Sequence, residues 1–186
     1  MRLINFFKET VKIITSLLRK NSGPRVDYTA GDVYNQANNF LKASSVLSEK
    51  LLLSHDLNTY ISPYITVTSL AIELYLKTLY LIEKGTGIAV PRKHNLRKLY
   101  GLLGGDSQKF IKISYDEHIT KDPITCNIKK SRPDVDLELE TVLEEMSEAF
   151  VNWRYIFEKR AKGFPAAGPI IRAVRERIRT LCPDWQ

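Results

Sequence analysis

The chain has 186 residues, 44% hydrophobic and 26% charged, with 28 lysines and arginines against 21 acids and a net charge of +7. This profile suits one ordinary soluble domain and argues against both a disordered polymer and a membrane protein. Two cysteines, Cys126 and Cys182, are too few for a disulfide scaffold and make no C-x-x-C pair, which fits a reducing cytoplasm. The basic surplus allows an acidic partner without requiring one.

At the N-terminus, Leu3, Phe7, Val11, Ile14 and Leu18 recur at the spacing of an amphipathic helix. Lys8, Glu9 and Lys12 interrupt the apolar run, unlike a signal peptide. Docking of this helix on its own bundle or on a second subunit is preferred to contact with a membrane. Residues 1–30 thus read as a helix and a turn-rich connector containing Gly23-Pro24. Asp32 is placed to cap a helix reaching about Leu53, with Val33, Ala37, Phe40, Leu41, Ser44 and Leu47 along one side. His55-Asp56 and Ser62-Pro63 mark a break, and Pro63 is expected in the first turn of the next helix. That helix runs to Lys84 and stops at Gly85-Thr86-Gly87. Leu70, Ile72, Leu74, Leu76, Leu79, Leu81 and Ile82 cannot share one face, so it reads as the central helix of a bundle. Ser69, Glu73, Lys77, Tyr80 and Lys84 cross it as a single polar seam.

Further along, short helices are expected over Asn95–Leu103, ended by Gly104-Gly105, and over Gln108–Ile119. Residues 120–134, with two prolines, Cys126, Lys121, Lys129, Lys130 and Arg132, read as a long loop. A long helix is expected from Asp136 to Lys162, buried through Leu139, Leu143, Met146, Phe150, Trp153 and Phe157. Its acids come first and its bases last, as the helix dipole favours. After the break at Gly163–Gly168, Pro169 opens a last, basic helix. No strand alternation is present. The expected fold is all-α: an antiparallel helical bundle over 31–162, with the N-terminal helix of 1–30 and a C-terminal basic helix in 163–186 packed on it.

The three histidines, His55, His94 and His118, make no H-x-x-x-H, and no phosphate-binding glycine motif or G-x-S-x-G elbow is present. No metal and no cofactor are expected. One constellation stands out. Glu73-Leu74-Tyr75-Leu76-Lys77 precedes His94-Asn95-Leu96-Arg97-Lys98-Leu99, and Trp153-Arg154-Tyr155-Ile156-Phe157-Glu158 follows later. In order and spacing this series resembles the HEPN superfamily (higher eukaryotes and prokaryotes nucleotide-binding domains), in the branch with E-L-x-L-K, H-x-L-x-x-L and W-R-Y-x-x-E motifs. The resemblance covers residues 32 to 162. It implies an antiparallel helical bundle, frequently dimeric, in bacterial toxin–antitoxin, defence and RNA-processing systems.

Catalytic members carry R-x(4–6)-H, with arginine and histidine drawn from two subunits. Here no arginine stands five to seven positions before any histidine, and no histidine follows Arg154. The expected function is therefore a non-catalytic module that forms a homodimer and binds RNA, a nucleotide, or a protein partner such as an antitoxin. The alternative is a divergent metal-independent ribonuclease using Arg154, His94, Glu73, Lys77 and Glu158. Arginine's planar fork suits a carboxylate, so Glu73, His94 and Arg154 are expected to converge. Glu73–Lys77 and Arg154–Glu158 also have the four-residue spacing of simple helix pairs. Arg172, Arg175 and Arg179 share a face of the last helix and form the candidate nucleic-acid surface.

Overall fold

A helix with apolar residues around its whole circumference needs neighbours on every side, and the longest helix here has them. A computed structural model describes residues 28–54, 57–85, 88–152 and 167–185. The expected helix at 1–20 and the stretch from Trp153 to Lys162 lie outside them. Seven helices occur among the described residues, and no strand: α1 (Ala30–Ser54), α2 (Leu57–Lys84), α3 (Leu96–Tyr100), α4 (Gly105–Lys121), α5 (Pro123–Ser131), α6 (Leu139–Asn152) and α7 (Ala167–Leu181). The fold is all-α.

The central helix is α2, which packs against α1, α3, α6 and α7. Ile65, Ile72, Tyr75, Leu76 and Leu79 are fully buried along it. The Ser44 and Thr68 hydroxyls meet at 2.6 Å, and the Tyr75 hydroxyl donates to Asn38 Oδ1 at 2.6 Å. Partner numbers fall on α2 as they rise on α1, so the two form an antiparallel hairpin. By length and a mean hydropathy of 1.4, Thr59–Lys84 would also pass for a membrane-crossing helix. Two thirds of its apolar window (67%) is buried inside the protein, as befits a core helix. From the other side, Leu139, Val142, Leu143 and Met146 of α6, and Ile170, Ala173, Val174 and Ile178 of α7, complete the core.

Four boundaries differ from the sequence expectation. Pro63 lies inside α2 rather than in its first turn. Proline forfeits one helical hydrogen bond, but its ring points outward at an exposed position and the packing against α1 carries the helix through. The expected loop at 120–134 contains α5. Asp122 caps it by accepting from Thr125 N at 3.0 Å and Thr125 Oγ1 at 2.9 Å, with Pro123 at the first helical position. Gly104 does not end α3, which stops at Gly101; it is the N-cap of α4. Asp136 precedes α6 and binds its start, accepting from Glu138 N at 2.9 Å and Thr141 Oγ1 at 2.7 Å.

Gly85 ends α2 as expected, with φ at +85° and its N–H bonded to Leu81 O at 2.9 Å. A side chain at either Gly85 or Gly105 would meet nothing within 4 Å, so the two differ only in backbone conformation. Gly85→Ala should therefore lower unfolding free energy by about 1–2 kcal/mol, the cost of a left-handed L-residue. Gly105→Ala, in the first turn of α4, should raise it by about 0.4–1 kcal/mol. Urea unfolding of the two variants checks both signs.

Candidate functional site

Positions 73 and 77 are one turn apart on α2, on the side that faces the returning segment 88–95. The Lys77 ammonium donates to Glu73 Oε1 at 2.7 Å, and the side chains are only 7% and 8% exposed. His94 Nδ1 donates to the same carboxylate, at 3.1 Å from Oε1 and 3.3 Å from Oε2. His94 itself is 72% exposed, so its ring covers a buried ion pair and leaves Nε2 to solvent. The surrounding backbone holds the histidine there. Val90 N donates to the Tyr28 hydroxyl at 2.8 Å, Asn95 Nδ2 to Glu144 Oε1 at 3.1 Å, and Leu96 N to Ser147 Oγ at 2.7 Å. The segment is thus pinned to the start of α1 at one end and to α6 at the other.

Glu73 and His94, two of the three residues expected to converge, meet here, and Lys77 joins them as the helix pair its four-residue spacing suggests. Arg154 and Glu158, the other two candidates, lie outside the described residues. Around His94 the surface is basic: Arg92, Lys93 and Lys98 are exposed, and Arg97 pairs with Glu140 at 3.2 Å. Further along the seam, the Lys84 ammonium stands 5.9 Å from the centre of the Tyr80 ring.

The arginines of α7 do not act as one open face. Arg172 donates to Asp122 Oδ1 at 2.8 Å. The Arg175 guanidinium lies over the Tyr75 ring, 5.8 Å from its centre, where burial pushes the Tyr75 phenol up to about 12 while Arg175 pulls the other way. Arg179 is exposed. Arg177, on the other flank, donates to Ser107 Oγ at 2.8 Å and covers the Phe110 ring. Beside it Glu176, the only acid on α7, accepts from Ser114 Oγ at 2.5 Å and His118 Nε2 at 2.8 Å. From α4 to α7 the pairings run 107 with 177, 118 with 176, and 122 with 172, so these two helices are antiparallel and cross-linked along their length. Asp122 and Glu176 were not singled out from the sequence. Asp-Pro before a helix-compatible stretch is a capping signal that points to the first, and a lone acid among four arginines points to the second.

No group of histidine, cysteine and acidic side chains capable of holding a metal occurs among the described residues. No family model matches the chain, and neither a curated protein nor a solved structure matches it.

Burial works against ionisation of Asp122, but hydrogen bonds from Arg172 and Thr125 prevail and hold its carboxyl below the ordinary value. A carboxyl lowered by folding stabilises the native state above its unfolded value, about 4. That contribution is lost as pH falls through the lower, folded value. Wild-type stability in urea should therefore drop as pH falls below about 4, and Asp122→Asn should show a smaller drop from a lower plateau at neutral pH. Identical pH profiles would remove Asp122 as the acid-sensitive link between α5 and α7.

Proposed function

We propose that the chain is a non-catalytic HEPN-like helical module that dimerises and binds RNA, in the cytoplasm of a bacterium and within a toxin–antitoxin or defence system. The meeting of Glu73 and Lys77 from one motif with His94 from another supports the resemblance on which this rests. The observation that carries RNA binding is the basic rim around His94. Arg92, Lys93 and Lys98 are exposed and have no acidic partner among the described residues. Tyr80 with Lys84, along the same seam, supplies an aromatic side chain of the kind on which bases stack. Exposed Val46, Leu52 and Leu53 on α1 offer apolar surface to a second copy.

One observation favours the ribonuclease reading as the second choice. A histidine whose Nδ1 is fixed on a carboxylate presents Nε2 to solvent in the orientation of a general base. In that reading His94 takes the proton of a ribose 2′-hydroxyl as its oxygen attacks the adjacent phosphorus. The leaving 5′-oxygen then requires a proton from a second group.

Fluorescence anisotropy with a single-stranded RNA in chelator separates these readings. Affinity should fall with salt, and replacing Arg92, Lys93 and Lys98 with alanine should flatten the log–log slope by about 2, at about 0.7 per phosphate contact. An unchanged slope contradicts the proposed rim. Intact RNA at the end of the titration supports the non-catalytic reading, whereas cleavage that disappears in His94→Ala supports the ribonuclease.

A further inference from the structure

Tyr75 leaves α2 on the side away from Glu73, two residues along, and stands in a second cluster that the RNA reading does not use. Its ring is 5.9 Å from that of Tyr34, tilted by 60°. On Tyr34 in turn lies the indole of Trp185, with ring centres 5.1 Å apart and planes at 34°. Trp185 belongs to the turn after α7, where its backbone N–H donates to Cys182 O at 3.0 Å. The guanidinium of Arg175 covers Tyr75.

Two polar atoms in this aromatic cluster are buried without a hydrogen-bond partner among the described residues: the hydroxyl of Tyr34, a residue only 4% exposed, and Nε of Arg175. Buried polar groups are almost always satisfied, so each such atom calls for a cause. The Tyr75 hydroxyl supplies none, because it donates to Asn38. No described carboxylate pairs with Arg175. Asp122 is taken by Arg172, and Glu176 by Ser114 and His118. Arg179, exposed on the same helix, adds a second positive charge felt by the Tyr75 phenol. The place therefore has aromatic walls, the charges of Arg175 and Arg179 beside the Tyr75 phenol, and two unmet groups, one a pure donor and the other a hydroxyl able to donate. Indole meets the walls but offers no acceptor, since its ring N–H only donates.

We propose that Tyr34, Tyr75 and Arg175 form a binding site for a small aromatic carboxylate, closed in this structure by the indole of Trp185. The ligand's ring takes the place of the indole against Tyr34, and its carboxylate accepts from Arg175 Nε and the Tyr34 hydroxyl. The turn at 182–185 then acts as a lid that competes with the ligand.

The probe is indole-3-acetate, with indole and tryptamine as neutral and cationic forms of the same ring. The readouts are the Trp185 indole N–H resonance in the full chain, assigned by its loss in the conservative Trp185→Phe, and calorimetric affinity. Indole-3-acetate should shift that resonance saturably, and Trp185→Ala should bind it at least tenfold more tightly than the wild type. Arg175→Met should weaken binding at least tenfold, and tryptamine should not bind. Equal binding of all three probes would overturn the carboxylate site. So would no saturable shift in the wild type, which would leave an ordered water as the partner of the two atoms. The wild-type resonance decides the matter even if Trp185→Ala fails to fold.

Discussion

The structure turns on a buried ion pair in its central helix. Moving an ammonium and a carboxylate out of water costs several kcal/mol per ion, and attraction within the pair offsets this only when geometry and extra hydrogen bonds are good. Glu73 and Lys77 meet at 2.7 Å, and His94 supplies the carboxylate with a further donor. The pair therefore constrains more than itself. Any rotation of α2 that drew Glu73 off the segment 88–95 would leave its carboxylate short of a partner, so the seam fixes the face α2 presents. The apolar remainder of the helix is then distributed among α1, α6 and α7. Hydrophobic burial is not directional, so the seam and the α1–α2 hydroxyl bonds add the polar constraints on how α2 is turned.

Polar cross-links also decide how α7 sits. Ile170, Ala173, Val174 and Ile178 give it an apolar face toward the core. Ser107, Ser114, His118 and Asp122 fix its register on α4 by bonding to three of its charged residues and to no others. The basic character of this helix is thus partly spent on internal bonds, whereas the cations beside His94 face solvent.

The all-α class, the central place of α2 and the stop at Gly85 were legible because each rests on a local pattern: periodicity, apolar coverage and a glycine free to take positive φ. The Glu73–Lys77 pair was legible from its four-residue spacing on a helix otherwise apolar all round, and the approach of His94 from the motif order that brings it back to that helix. What escaped was less local. Pro63 continues a helix because α1 supports it, and residues 123–131 are helical although their lysines and the prolines at 123 and 133 look like a loop. In the second case the signal was present in Asp122-Pro123, where aspartate caps and proline fills the first turn. The pairing of Arg172 with Asp122 spans fifty residues, and a helical wheel of α7 alone carries no trace of it. Arg154 and Glu158 lie outside the described residues.

The central claim is that Glu73 and Lys77 act as one buried unit. A double-mutant cycle with Glu73→Leu and Lys77→Met, read by urea unfolding, tests it most directly. Each single change strands the opposite buried charge and should cost about 3–5 kcal/mol, while the double change should cost much less than their sum. Additive effects, or single changes each costing less than about 1 kcal/mol as exposed pairs do, would contradict the account.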